Sequence, residues 1–177
     1  MKKLCIVLLM LTAATATFAQ IKNNVSRGTI RFEIKNLGIK TGGVIEKMVA
    51  DIQFDPAKLA TSKITAVADV TTINTDNNMR DKHLKNEDYF DVAKYPSITM
   101  SSVSFKKKSG NEYAGQFNIT IKDKTKLIDV PFTYTKAGNV DQFKGTFKIN
   151  RRDFGVGGNS MTLGDEVTIF VEADAAQ

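Results

Sequence analysis

The densest run of reactive side chains in this 177-residue chain is Met79-Arg80-Asp81-Lys82-His83-Leu84, which holds its single histidine. A guanidinium, a carboxylate and an imidazole so close together could move a proton, grip a polar head group, or simply bond to one another. Acid–base catalysis needs a poised partner for His83, and the sequence offers no obvious activated one. A metal site is weaker still. The only cysteine is Cys5, and Glu87, Asp88 and Asp91 have the composition of a solvated face. Three readings of His83 therefore stand: a structural Arg–Asp–His hydrogen-bond cluster, a polar contact at the mouth of a cavity, and catalysis.

Two further segments look chemical at first sight. Gly155-Val156-Gly157-Gly158 has the glycine content of a phosphate loop. It lacks the strand, loop and helix order that aims backbone N–H groups at phosphate, and no Lys-Ser or Lys-Thr pair follows, so it reads as a connector. Lys106-Lys107-Lys108 beside Ser109-Gly110 reads as a solvated hairpin tip, with transient contact to an anionic membrane surface as the alternative.

The elements that must position these groups begin after an export signal. Met1-Lys2-Lys3 is basic, Leu4 to Leu11 is apolar, and Thr17-Phe18-Ala19 is a small-x-small cleavage pattern, which together predict a signal peptide over 1–19. The apolar run is too short to span a bilayer, which takes about 20 residues, and no later stretch approaches that length. A periplasmic or secreted protein is the expectation, with residues 20–177 as one domain. Cys5 leaves with the leader, so no disulfide is available. Losing Lys2 and Lys3 also trims the net charge from +6, a mild excess that gives an exported chain no case for nucleic-acid binding.

Beyond the leader, apolar and polar residues alternate with the period of strands that bury one face. Ile30, Phe32 and Ile34 alternate with charged neighbours. Met48 to Phe54, Ile98 to Phe105, Tyr113 to Ile121, Leu127 to Tyr134, Phe143 to Ile149 and Val167 to Ala173 repeat the pattern. Ile64 to Thr75 is mixed, so either both faces are covered or a bulge shifts the register. The alternation stops at 77–94, where Leu84, Tyr89, Phe90 and Val92 have helix-like spacing. Asp76 or Asn77 is the N-cap, and Tyr95-Pro96 the stop. About eight antiparallel strands leave a sandwich or a closed barrel, and the barrel is preferred. Ala50, Ala66, Ala68 and Gly115 at inward positions leave room for one small ligand.

These residues resemble the YceI-like family, also described as polyisoprenoid-binding periplasmic proteins. The resemblance runs from Arg27 to Ala173 and is carried by Ile30 to Gly38, Phe54-Asp55-Pro56, Ile73-Asn74-Thr75 leading into Arg80-Asp81-Lys82-His83-Leu84, Asp88 to Val92 with Tyr95-Pro96, Asn118 to Lys122, Asn150 to Val156, and Gly164 to Val167. Asn24-Val25-Ser26 departs from the Asp-x-x-His-Ser start of many members. The resemblance implies an all-β, eight-stranded antiparallel lipocalin-like barrel with a short helical excursion near residues 77–94. It also implies an apolar lumen for a polyisoprenoid, an isoprenoid quinone or a fatty-acid-like amphiphile.

The expected function is therefore binding of a long tail for transport, storage or sequestration, without catalysis and without a cofactor. Expected ligand contacts are Phe32, Ile34, Phe117, Ile119, Phe132 and Phe147 along the tail, with Asn74, Arg80 and His83 toward its polar end, and Phe90, which the resemblance implies as the family's aromatic in the excursion across the barrel. The rivals are an envelope stress or interaction protein whose packed barrel works through its surface, and an enzyme acting on a lipid or amide. The oligomeric state is left open, with a dimer among the options.

Overall fold

A computed structural model describes residues 25–176, and the expected leader, 1–19, lies outside them. One antiparallel sheet contains β1 (Val25–Asn36), β2 (Ile39–Ile45), β3 (Met48–Gln53), β4 (Lys63–Asp69), β5 (Ile73–Asn74), β6 (Ser97–Ser109), β7 (Glu112–Ile121), β8 (Lys124–Ala137), β9 (Val140–Asn150) and β10 (Leu163–Ala176). One helix, α1 (Asn78–Lys85), opens the excursion between β5 and β6. No described helix is long and apolar enough to cross a membrane.

The order across the sheet is β3-β4-β6-β7-β8-β9-β10-β1-β2-β5, and its two ends explain the closure. Only Glu46 and Lys47 separate β2 from β3, so one bent segment leaves β1 at one edge of the sheet and joins β4 at the other. The partner segment bends with it. β4 and β5 are joined by a 3-10 turn at Val70–Thr72, with Met48 opposite Ala68 and Ile45 opposite Ile73. Counting each bent segment once turns ten strands into the expected eight, wrapped into a barrel without a long free edge.

That turn also resolves the mixed run. Ala68, Val70 and Ile73 are all buried although their spacing breaks strict alternation, while Val67 is 40% exposed on the outer face. The 3-10 turn has inserted the register shift. β2 itself was not legible as a strand because Gly42-Gly43 interrupts its alternation. Gly43 is required there: a Cβ would stand 2.5 Å from the Asn74 carbonyl oxygen and 2.7 Å from the Thr75 methyl.

The interior has two unlike halves. At the end formed by the β6–β7 and β8–β9 hairpins, Phe54 enters from the end of β3 and is ringed by other aromatics. Its ring centroid lies 5.1 to 5.6 Å from those of Phe105, Tyr113, Phe132, Tyr134 and Phe143, mostly edge to face. This is the geometry in which ring quadrupoles attract, and it fills that half solidly. The space expected beside Gly115 is taken by the Phe105 and Phe117 rings. Tyr134 also donates a hydrogen bond to Asp141 Oδ1 at 3.0 Å. Burial pushes its hydroxyl up to about 12, and the bond to Asp141 adds to the shift.

Candidate functional site

The other half of the barrel is not filled. A cavity of about 430 Å³ opens there, within the range of small-molecule sites. Its walls are the inward faces of β1, β2, β4, β6, β7, β9 and β10, with Met48 of β3 and Ile73 of β5, and its roof is the α1 excursion together with the β9–β10 connection. Among the expected tail contacts, Phe32 and Ile34 from β1, Ile119 from β7 and Phe147 from β9 line it. Ala66 and Ala68 do so as well, and their short side chains leave room at that level.

Phe117 and Phe132 point inward as expected but sit outside this lining. Phe117 is 2% exposed within the packed core, with its ring 5.7 Å from that of Phe105, and Phe132 stacks on Tyr113 in the filled half. Alternation assigns a residue to the inside of a strand, not to a level along the barrel. Asn74 is also corrected. Its neighbours Ile73 and Thr75 are buried, so Asn74 turns outward, where its amide donates to Glu46 Oε1 at 2.8 Å and accepts from the Asp76 amide.

The roof begins as the sequence predicts. Asn77 Oδ1 accepts from the Arg80 amide at 3.0 Å and caps α1, and the chain leaves the excursion at Tyr95-Pro96 before β6. Phe90, Leu84 and Tyr89 face the cavity from it. Arg80 and Asp81 both turn back to Thr75. Asp81 Oδ1 accepts from the Thr75 amide at 2.9 Å and from its hydroxyl at 2.5 Å, while Arg80 Nε and Nη2 donate to the Thr75 hydroxyl and carbonyl oxygens. A buried threonine therefore fixes the guanidinium at the cavity mouth.

His83 stands apart from this network. Its exposed ring meets the Tyr89 ring edge on, with centroids 4.8 Å apart, and it too borders the cavity. The structure thus replaces the expected Arg–Asp–His cluster by an Arg–Asp–Thr cluster. His83 lies beside it, without a carboxylate positioned to activate it. Among the described residues, no group of three or more His, Cys, Asp or Glu side chains is arranged to hold a metal ion.

A site residue that the sequence did not single out is Arg151, 3% exposed in the 3-10 turn Arg151–Phe154. Its guanidinium donates to the carbonyl oxygens of Val156, Gly157, Gly158, Leu163 and Gly164, and pairs with Asp165 Oδ1 at 2.9 Å. The glycine-rich segment is thus a connector that wraps a buried cation with its carbonyls, the reverse of a phosphate loop. Gly157 (φ 61°) packs under Tyr89, where a Cβ would lie 2.4 Å from the ring, and its amide donates to the Asp88 carbonyl. Arg151 and Gly157 join the two parts of the roof. Among the described residues, the charged side chains lining the cavity, Arg80 and Arg151, are cationic, and no carboxylate lines it.

A family model described as YceI-like domain matches residues 21–175. A UPF0312 protein of Yersinia pestis is 28% identical over 178 residues, covering 96% of this chain and 92% of that one. The crystal structure of BcnA from Burkholderia cenocepacia superposes with a TM-score of 0.81 at 29% identity, covering 84% of this chain and 96% of that one. A polyisoprenoid binding domain from Saccharophagus degradans shares the fold, with a TM-score of 0.70 at 12% identity over 88% of this chain and 99% of that one.

Proposed function

We propose that this chain, which belongs to the YceI-like family, is an exported carrier or sequestering protein that holds one isoprenoid or fatty tail in the open half of its barrel. The observation that carries the reading is the unfilled apolar cavity beneath a polar, cationic mouth. Burying hydrocarbon there is worth about 0.8 kcal/mol per CH₂, which is what a tail needs to leave a membrane or micelle for a soluble host. Arg80, held by Thr75, is placed to hydrogen-bond a neutral or anionic head group at the mouth. The polyisoprenoid binding domain with the same fold supports the ligand class, and the leader-like residues 1–19 support a periplasmic or secreted location.

Size narrows the ligand. At about 30 Å³ for each water-sized group, 430 Å³ takes on the order of fourteen carbon-sized groups. That is about three isoprene units or one fatty-acyl chain, and a longer polyprenyl tail would leave its far end outside the mouth. A packed barrel working through its surface fits the aromatic half alone. Binding in place of catalysis is supported by Asp81, whose carboxylate is engaged by Thr75 and not by His83.

The test is organic-solvent extraction of the purified protein with mass spectrometry of the extract, followed by uptake of isoprenoid quinones and fatty acids by the stripped protein. One tail per chain is expected. Neither co-purified lipid nor uptake would overturn the proposal.

A further inference from the structure

The tip of the β1–β2 hairpin is built against its own folding interest. Leu37 and Gly38 have φ of 52° and 79°, so both central residues of this two-residue turn are left-handed. Such a turn favours Asn-Gly, because a leucine Cβ is crowded there. The leucine gains nothing in return, since its side chain is 73% exposed, as is that of Ile39 beside it. The Leu37 amide donates to the Thr162 carbonyl at 2.8 Å, which brings in the neighbouring loop, where Met161 is fully exposed. Two loops thus present three large apolar side chains to solvent at one place.

That place is the cavity mouth. Asn36, Thr41, Ser160 and Thr162, interleaved with the exposed residues, line the cavity itself. Just behind the tip, Lys35 and Lys40 are opposite one another in the β1–β2 register, both exposed on the outer face. Apolar tips ahead of a pair of lysines match the layering of a lipid surface, hydrocarbon within and anionic phosphates at its face. The Lys106-Lys107-Lys108 run, by contrast, lies on the strands around Phe105 and Tyr113, at the packed end of the barrel. It faces away from the mouth and cannot pass a tail into it.

The geometry points to a loading surface: Leu37, Ile39 and Met161 enter an anionic phospholipid bilayer, Lys35 and Lys40 sit at its phosphates, and the mouth meets the membrane. This role rests on the lumen reading, for it lets a tail move between bilayer and barrel without crossing water.

Flotation with phosphatidylglycerol-containing vesicles tests it. Leu37→Asn is the informative variant, because asparagine suits the left-handed turn while removing the apolar side chain. Its thermal midpoint is expected to equal or exceed that of the parent, with vesicle affinity lower by on the order of tenfold. Lys35→Gln and Lys40→Gln each cost about fivefold on anionic vesicles. Replacing all three of Lys106, Lys107 and Lys108 by Gln leaves flotation unchanged.

Tail uptake from cyclodextrin is expected to be the same in Leu37→Asn as in the parent, while uptake from vesicles slows. A parent that does not float, or a Leu37→Asn protein that floats as well as the parent, overturns the loading surface. Leu37-dependent flotation without tail uptake from cyclodextrin overturns the lumen reading and leaves the membrane contact standing.

Discussion

Replacing Phe54 by alanine removes the centre of the aromatic floor. The ring touches five others at 5.1 to 5.6 Å, so no neighbour can fill its place without giving up a contact of its own. A void on the order of 100 Å³ at about 24 cal/mol per Å³ costs about 2.4 kcal/mol, and the lost transfer of the ring brings the total to about 3 to 5 kcal/mol. Phe105 packs against both Phe54 and Phe117, and so joins the aromatic floor to the apolar cluster whose Ile119 and Phe147 line the tail cavity. Relaxation of Phe105 and Phe117 into the void is expected to lengthen the lumen by about three carbon-sized groups at roughly 30 Å³ each. Urea unfolding measures the first effect as a lowered midpoint at unchanged slope. Competition among fatty acids of stepped length measures the second as a longer preferred tail. A loss under about 1 kcal/mol together with an unchanged length preference would refute the claim that Phe54 is the floor.

Three further outcomes follow from the same geometry. Arg151→Met strips a donor from five backbone carbonyls and Asp165, and is expected to cost about 3 to 5 kcal/mol in urea unfolding. Protease cleavage should become faster within 155–164, and Arg151→Lys should not rescue it, because an ammonium lacks the guanidinium fork. Tyr134 keeps its proton in the folded state up to about 12 while the unfolded chain releases it near the ordinary 10, so its contribution is intact below about pH 10 and disappears as pH rises from there toward 12. Tyr134→Phe should flatten that alkaline loss in denaturation midpoints measured across the same window. His83→Ala removes a ring that packs on Tyr89 outside the Arg80–Asp81–Thr75 network, so tail affinity by fluorescence titration should change by no more than about tenfold, the upper worth of one aromatic contact. Loss of binding would make His83 the head-group contact.

Much of the barrel was legible because period-two alternation records which side of a strand is buried, and seven of its segments alternate cleanly. The excursion was legible from Asn77 and Tyr95-Pro96, local devices that work without their surroundings. What alternation does not carry is height along the barrel axis. Phe117 and Phe147 read alike in sequence, yet only Phe147 borders the cavity, because the depth of each residue depends on strand tilt and on where Phe54 enters. Asn74 was misplaced for a related reason: the turn at Val70–Thr72 shifts the register immediately before it. Arg151 was missed because a buried arginine reads as a surface charge until the carbonyls of Val156, Gly157, Gly158, Leu163 and Gly164 are folded around it. The glycines that follow it were the one available signal.

If a tail occupies the open half of the barrel, filling that half must weaken its binding. Ala66 lines the cavity on β4, and Ala66→Phe places a ring of on the order of 100 Å³ into about 430 Å³. Calorimetric titration of parent and variant with a three-isoprene alcohol should give one site in the parent. In a variant that remains folded, affinity should be lower by at least about tenfold, as expected for displacing some three carbon-sized groups at about 0.8 kcal/mol each. Equal affinity in the two proteins would mean that the tail binds elsewhere.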